Sequence, residues 1–260
     1  MVKESTASGS KSPLNDDPGA ADPGGLFALR HASPTVTAVL VDAAFYLKRA
    51  RKVFGTQTPD EAARRLHGMA LDHLNDGNSR QRIARLYRIF VYDAPPVAWK
   101  GHTPIEKQAV DYGRSSTAEW RTAFHDALRG QRKVALRLGE IPAQQVQWKI
   151  RPQALKELAK GDRPWAEISD SDFQLDLRQK GVDMRLGLDI ASLAYKSQVN
   201  QIVLVSGDAD FVPAAKLARR EGIDFILDPM WATIRPDLYE HVDGLRSVCP
   251  SPTRALGGTR

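Results

Sequence analysis

The stretch IVLVSGDADF, residues 202–211, is aliphatic at four of its first five positions and ends with two carboxylates two residues apart. An apolar run without polar alternation reads as a strand buried on both faces, the pattern of a parallel sheet covered by helices. The Ser-Gly-Asp-Ala-Asp that follows places acid where such a strand leaves the sheet. Working outward, the same arrangement recurs. A short aliphatic strand, Val36 to Val41, ends at Asp42, RLYRIFVYD (85–93) ends at Asp93, and IDFILDP (223–229) forms a fourth strand.

Helical segments lie between these strands. One begins near Ala44. Another covers 59–75, with Pro59 at its first position and Asp60 and Glu61 in its first turn. STAEWRTAFHDALRG (116–130) has a Ser/Thr start and a Gly stop, and PQALKELAKG (152–161), VDMRLGLDIASLAYKS (182–197) and DFVPAAKLARREG (210–222) follow. KVALRLGEI (133–141) alternates and is expected to pair with QVQWKIRP (145–152) as a hairpin. Strands alternating with helices predict an α/β fold: a three-layer, Rossmann-like α/β/α domain with a mainly parallel sheet and an inserted hairpin and helical segment.

Residues 1–34 are rich in small and polar types and read as a disordered tail, with 249–260 as a second loose tail. The folded domain is expected over 35–248, with an insertion at about 99–180. Of the 260 residues, 42% are hydrophobic, enough for a sizeable core. The single cysteine, Cys249, excludes a disulfide framework and a cysteine-based zinc site, and points to a reducing, cytoplasmic setting. No apolar run approaches the roughly 18 residues of a membrane span. The six histidines show no metal-ligand spacing, and the net charge of +6 suits a polyanionic partner.

In parallel sheets the site lies beyond the C-terminal strand edge. Asp42 and Asp208 each follow a buried strand, Asp210 comes two residues later, and Asp183 and Asp189 flank or enter the helix leading to the Ile202 strand. Carboxylates gathered in one cleft repel each other unless a cation lies between them, and hard oxygen ligands suit Mg²⁺ or Mn²⁺. Taken singly, each also fits a helix cap or turn: Asp210 before Phe211, Asp183 before Met184, and Asp93 with two prolines after it as a turn former. Asp72, Asp76 and Asp126 read as solvated residues on polar helix faces.

Three blocks together, VLVDAAFY (39–46), KGVDMRLGLDIASLA (180–194) and IVLVSGDADFVPAAKLARREG (202–222), resemble the NYN domain, a branch of the PIN-like metal-dependent nucleases, and within it the bacterial LabA-like group. The resemblance spans roughly 36–246. It implies a Rossmann-like fold, Mg²⁺ or Mn²⁺ held by acidic residues, and cleavage of RNA. Carried over by position, it makes Asp42, Asp183, Asp189, Asp208 and Asp210 the catalytic carboxylates. We expect Asp42, Asp189 and Asp208 on the metal, with Asp183 and Asp210 as outer ligands or orienters of water. Many such domains carry Asn three residues after the first Asp, where this chain has Phe45.

Ser206 is a candidate for orienting water or phosphate, against an ordinary strand-end hydroxyl, and Lys180 for contacting phosphate. Residues 129–160 carry eight Lys and Arg against Glu140 and Glu157. Arg132, Lys133, Lys149, Arg151 and the ring of Trp148 are therefore the candidate platform for single-stranded RNA. The alternative for Trp148 is core packing. Two other functions compete: a non-catalytic module that holds RNA or a protein partner, and a haloacid-dehalogenase-like phosphatase. The latter expects D-x-D after the first strand, where position 44 is Ala. A homo-oligomer is compatible with the sequence.

Overall fold

The computed structural model describes residues 34–77, 81–142, 146–177 and 180–252. The predicted tails lie outside these residues except for Pro34 and 249–252. Packing continues through Cys249, which is buried and whose carbonyl accepts a hydrogen bond from Trp231 Nε1 at 2.7 Å.

The chain runs β1 (Thr35–Asp42), α1 (Ala43–Phe54), α2 (Pro59–Asp72), β2 (Ala84–Asp93), β3 (Lys100–His102), β4 (Ala109–Asp111), α3 (Ser116–Arg129), β5 (Val134–Leu138), β6 (Gln147–Ile150), α4 (Pro152–Lys160), β7 (Phe173–Asp176), α5 (Val182–Tyr195), β8 (Gln201–Val205), α6 (Val212–Arg220), β9 (Asp224–Asp228), α7 (Pro236–Tyr239) and β10 (Gly244–Leu245). Six strands form one sheet in the order β10-β9-β8-β1-β2-β5, with every neighbouring pair parallel.

Side chains of the central strands divide between two cores, as period-two geometry requires. Val39 and Val41 of β1 and Val203 and Val205 of β8 face α1, α2 and α3. Ala38 and Leu40 with Ile202 and Leu204 face α5 and α6. The expected three layers are therefore present. Each fully buried aliphatic side chain stabilises the fold by roughly 1.5–3 kcal/mol, and Leu40, Ile89, Ile190 and Ile202 are all fully buried. Local chemistry agrees with the packing. Thr58 and Glu61 form a reciprocal cap at the start of α2, with Pro59 just inside it. Among the described residues, no helix is long and apolar enough to cross a membrane.

One expectation is corrected. KVALRLGEI does not pair with QVQWKIRP. Val134–Leu138 instead joins the main sheet beside β2, with Ile89 opposite Val134 and Asp93 opposite Leu138. The reason is tertiary: α3 packs on α2 and carries the chain back to the sheet, where β2 offers a long parallel partner. The residues 147–150 pair with β7 as a separate antiparallel ribbon. Strand order also changes direction at β1: β2 and β5 lie on one side, β8 and β9 on the other. Such a switch point opens a crevice beyond the strand ends.

Candidate active site

Asp42 ends β1 and caps α1, its Oδ1 accepting the Phe45 N–H at 3.1 Å. It faces a recess of about 120 Å³ lined also by Tyr92, Asp93, Gly181 and Asp183. Burial raises the pKa of Asp42 above the ordinary carboxylate value. The Phe45 and Ala44 amides oppose that rise, and the charges of Asp183 and Asp93 add to it. Asp183, in the first turn of α5, is raised by partial burial and then by the charges of Asp208 and Asp210. Asp183 is thus the electrostatic link between the end of β1 and the loop after β8.

That loop is tightly organised. Ser206 is fully buried, and its Oγ accepts the Asp208 N–H at 3.2 Å. Asp208 Oδ1 in turn accepts the Asp210 N–H at 3.0 Å, capping the short turn Ala209–Phe211. Phe211 then anchors the loop in the α5–α6 core. Gly207 lies against Phe45: a Cβ built there would stand 2.8 Å from the ring. The residue at the variable position of the first block is therefore in contact with the backbone of the acidic loop.

The donor set is carboxylate oxygen throughout, the chemistry of a hard divalent cation. Among the described residues, no three His, Cys, Asp or Glu groups converge into a closed cage. Mg²⁺ commonly binds through one or two carboxylates, with water and substrate phosphate completing its shell. Asp42 and Asp183, which line one recess, fit that mode.

Residues 130–234 match the family model of the NYN domain. Over this stretch the chain is similar to the NYN domain. The match spans β5 to the segment after β9 and includes Asp183, Asp189, Asp208 and Asp210, while Asp42 and Asp93 precede it. NYN domains are nuclease-type domains, and nucleases of this kind generally depend on divalent metals. No curated protein matches the chain. Among solved structures it is similar to a protein of unknown function from Vibrio parahaemolyticus. Identity there is 13%, covering 86% of this chain and 98% of that one, with a TM-score of 0.46. It is also similar to a structure described under the mechanism and regulation of Sir2 enzymes, at 11% identity over 86% and 90% of the two chains, with a TM-score of 0.31. Neither likeness is close enough to bear on the NYN domain's activity.

The other aspartate of the NYN helix is placed differently from the expectation. Asp189 Oδ2 accepts the Tyr92 hydroxyl at 2.8 Å and lies 3.1 Å from Arg137 Nε. Burial and the neighbouring Asp189 push the Tyr92 phenol far up, so it stays a donor. Asp189 therefore ties α5 to β2 and β5, and its side chain is engaged by Tyr92 and Arg137. The basic candidates are also dispersed. Arg132 and Lys133 precede β5 at the opposite end of the sheet, where the Lys133 ammonium donates to the Leu86 carbonyl. Lys149 and Arg151 belong to the β6–β7 ribbon and its junction with α4, and Arg151 Nε donates to the Ser171 carbonyl at 2.8 Å. The Trp148 ring meets Trp99 and Tyr112 edge-on at 6.0 and 6.2 Å, and its Nε1 donates to the His102 carbonyl. It joins the β6–β7 ribbon to the β3–β4 hairpin. Lys180 is exposed, three residues before Asp183, and pairs with Glu140 through backbone hydrogen bonds.

Four site residues were not anticipated. Asp93, read as a turn former, is buried beside Asp42, and both its oxygens are engaged. Arg121 lies 2.8 Å from Oδ2, His125 Nε2 also lies 2.8 Å from Oδ2, and the Ala94 N–H donates to Oδ1. In sequence, Arg121 and His125 are one helical turn apart on α3, a spacing that could have suggested a shared partner. Gly139 is the other constraint: a Cβ there would stand 2.7 Å from the Lys180 carbonyl oxygen and 2.6 Å from Val182. Gly139→Ala should push the start of α5, and Asp183 with it, out of place. Expected results are a stability loss of about 1–3 kcal/mol by denaturant melt and weaker Mn²⁺ binding by calorimetry. Unchanged Mn²⁺ affinity would show that Asp183 is not positioned by this contact.

Proposed function

We propose that this NYN domain is a Mg²⁺- or Mn²⁺-dependent ribonuclease of the cytoplasm, hydrolysing phosphodiester bonds of single-stranded RNA at the C-terminal edge of its parallel sheet. The observation that carries this reading is the row of neighbouring carboxylates: Asp42 and Asp183 line one recess, and the charges of Asp208 and Asp210 act on Asp183. The neighbouring charges raise the proton affinity of Asp42 and Asp183, an effect that a bound cation relieves. Asp42, Asp183 and Asp208 would hold the ion, and Asp210 would support the loop. A divalent cation there supplies charge neutralisation on the phosphate and an activated water.

The protein's own contribution is positioning. The backbone amides of Phe45 and Ala44 fix Asp42, and Ser206 and the Asp210 N–H fix Asp208. Lys180, exposed two residues before α5, is the candidate to meet the phosphate. Asp189 serves this arrangement indirectly, by locking α5 against Tyr92 and Arg137. The Phe45 ring against Gly207 favours a second reading, in which the domain holds RNA without cutting it, because an amide is missing where a polar group would orient water. Incubating labelled single-stranded RNA with Mn²⁺ decides between them. Cleavage abolished by EDTA, and reduced about 100-fold or more in Asp208→Asn, is the expected result. Binding without cleavage in both proteins would leave the second reading.

A further inference from the structure

A groove of 680 Å³ runs between α1 and the start of α3. Four cations line it, Lys48, Arg51, Lys52 and Arg121, and no Asp or Glu does. Lys48, Arg51 and Lys52 are exposed, and among the described residues none of the three makes an ion pair. Arg51 and Lys52 lie in the last turn of α1, where the helix dipole favours them, and with Lys48 they give the groove a positive wall with no acid on it to neutralise it.

The groove adjoins the acidic recess. Ala44 lines both, and Arg121 reaches from the groove to Asp93 in the recess. Ala44, Lys48 and Lys52 form a row along α1, each step of four residues advancing roughly 6 Å. That row starts next to Asp42 and leads away from it. An anionic polymer is the ligand such a row fits: one phosphate can sit at the carboxylates with its cation while successive neighbours meet Lys48, Arg51 and Lys52. The volume is that of a small-ligand pocket. It takes on the order of two nucleotides of one strand, and a duplex would have to stay outside.

We propose that the α1–α3 groove is the track along which a single strand of nucleic acid enters the acidic recess. The direction of entry rests on the ribonuclease reading, but the binding does not. The β6–β7 ribbon, with Lys149 and Arg151, would then lie off the track.

Equilibrium binding of an end-labelled oligoadenylate, followed by anisotropy in EDTA across a salt series, tests this without chemistry. In Lys48→Ala/Arg51→Ala/Lys52→Ala, affinity at low salt should fall at least about tenfold, and the log–log salt slope should shrink by about 2, at roughly 0.7 per lost contact. Lys149→Ala/Arg151→Ala should leave both unchanged. An unchanged slope in the triple variant overturns the proposal, as does a slope lost only in the ribbon variant. So does an oligoglutamate peptide that displaces the RNA at equal charge concentration, which would make the groove a protein-docking site. A separate Mn²⁺ cleavage assay keeps the two readings apart. Slope loss in the triple variant with no cleavage by the parent keeps the track and removes the nuclease. Cleavage by the parent with an unaltered slope in the variant does the reverse.

Discussion

Asp42→Asn is expected to abolish metal-dependent cleavage while making the metal-free protein more stable at neutral pH. The substitution keeps the helix cap, since Asn accepts the Phe45 N–H as well as Asp does. It removes a charge that burial and the charges of Asp183 and Asp93 all oppose. The sign follows from linkage. The folded state holds the Asp42 proton more tightly than the unfolded chain, whose ordinary value is 3.8, so ionisation begins to destabilise the fold as pH rises through that value. The penalty is complete above the raised folded value. The gain in melting temperature of Asp42→Asn should therefore be absent below pH 3.8, grow above it, and persist at pH 7. A rise of roughly 2–4 °C corresponds to each kcal/mol relieved in a chain of this size. Mn²⁺ should stabilise the parent and not the variant. Scanning calorimetry with and without Mn²⁺ over a pH series checks all of this, and a melting temperature lowered at pH 7 would make Asp42 a structural acceptor instead.

The largest loss of stability is expected at another strand-end aspartate, Asp228. It closes β9, is fully buried, and holds His73 Nε2 at 2.9 Å with one oxygen and the Met230 N–H at 2.7 Å with the other. His73 is itself buried, and its Nδ1 has no hydrogen-bond partner. Removing one member of a buried pair leaves the other without compensation, which costs about 3–5 kcal/mol. Asp228→Ala should lose that much in urea unfolding. Its effect on Mn²⁺ affinity, measured where the variant is still folded, should be small. A stable variant that no longer binds Mn²⁺ would instead place Asp228 in the site.

These two residues show where the sequence is informative and where it stops. Asp42, Asp93 and Asp228 look alike in the chain, each an acid ending an aliphatic strand. Their fates are set by residues far away in sequence: Asp183 for the first, Arg121 and His125 for the second, His73 for the third. Strands β1, β2, β8 and β9 and helices α1 to α6 were legible, because buried parallel strands and capped helices carry their signals locally, while the short β3, β4, β7, α7 and β10 carry no such signal. β5 was not, since alternation in KVALRLGEI is equally good for a hairpin and only β2 decides its partner. The acidic pair after β8 was found because caps alone do not predict Ser-Gly-Asp-x-Asp. The RNA platform was sought in a run of positive charge. A linear run says nothing about which end of the sheet each side chain reaches, and Arg132 and Lys133 reach the other end from Asp42.

The pairing of β1 with β8 has a consequence for synthesis. Thr37 lies opposite Gln201 and Val41 opposite Val205, so the strand that carries Asp42 waits for a partner made some 164 residues later. Loop closure over that distance is entropically costly and makes such contacts form late. A chain still on the ribosome carries Asp42 while Asp208, 166 positions later, is still to be made. A site built this way cannot bring Asp42 and Asp208 together until the whole stretch between them has been translated.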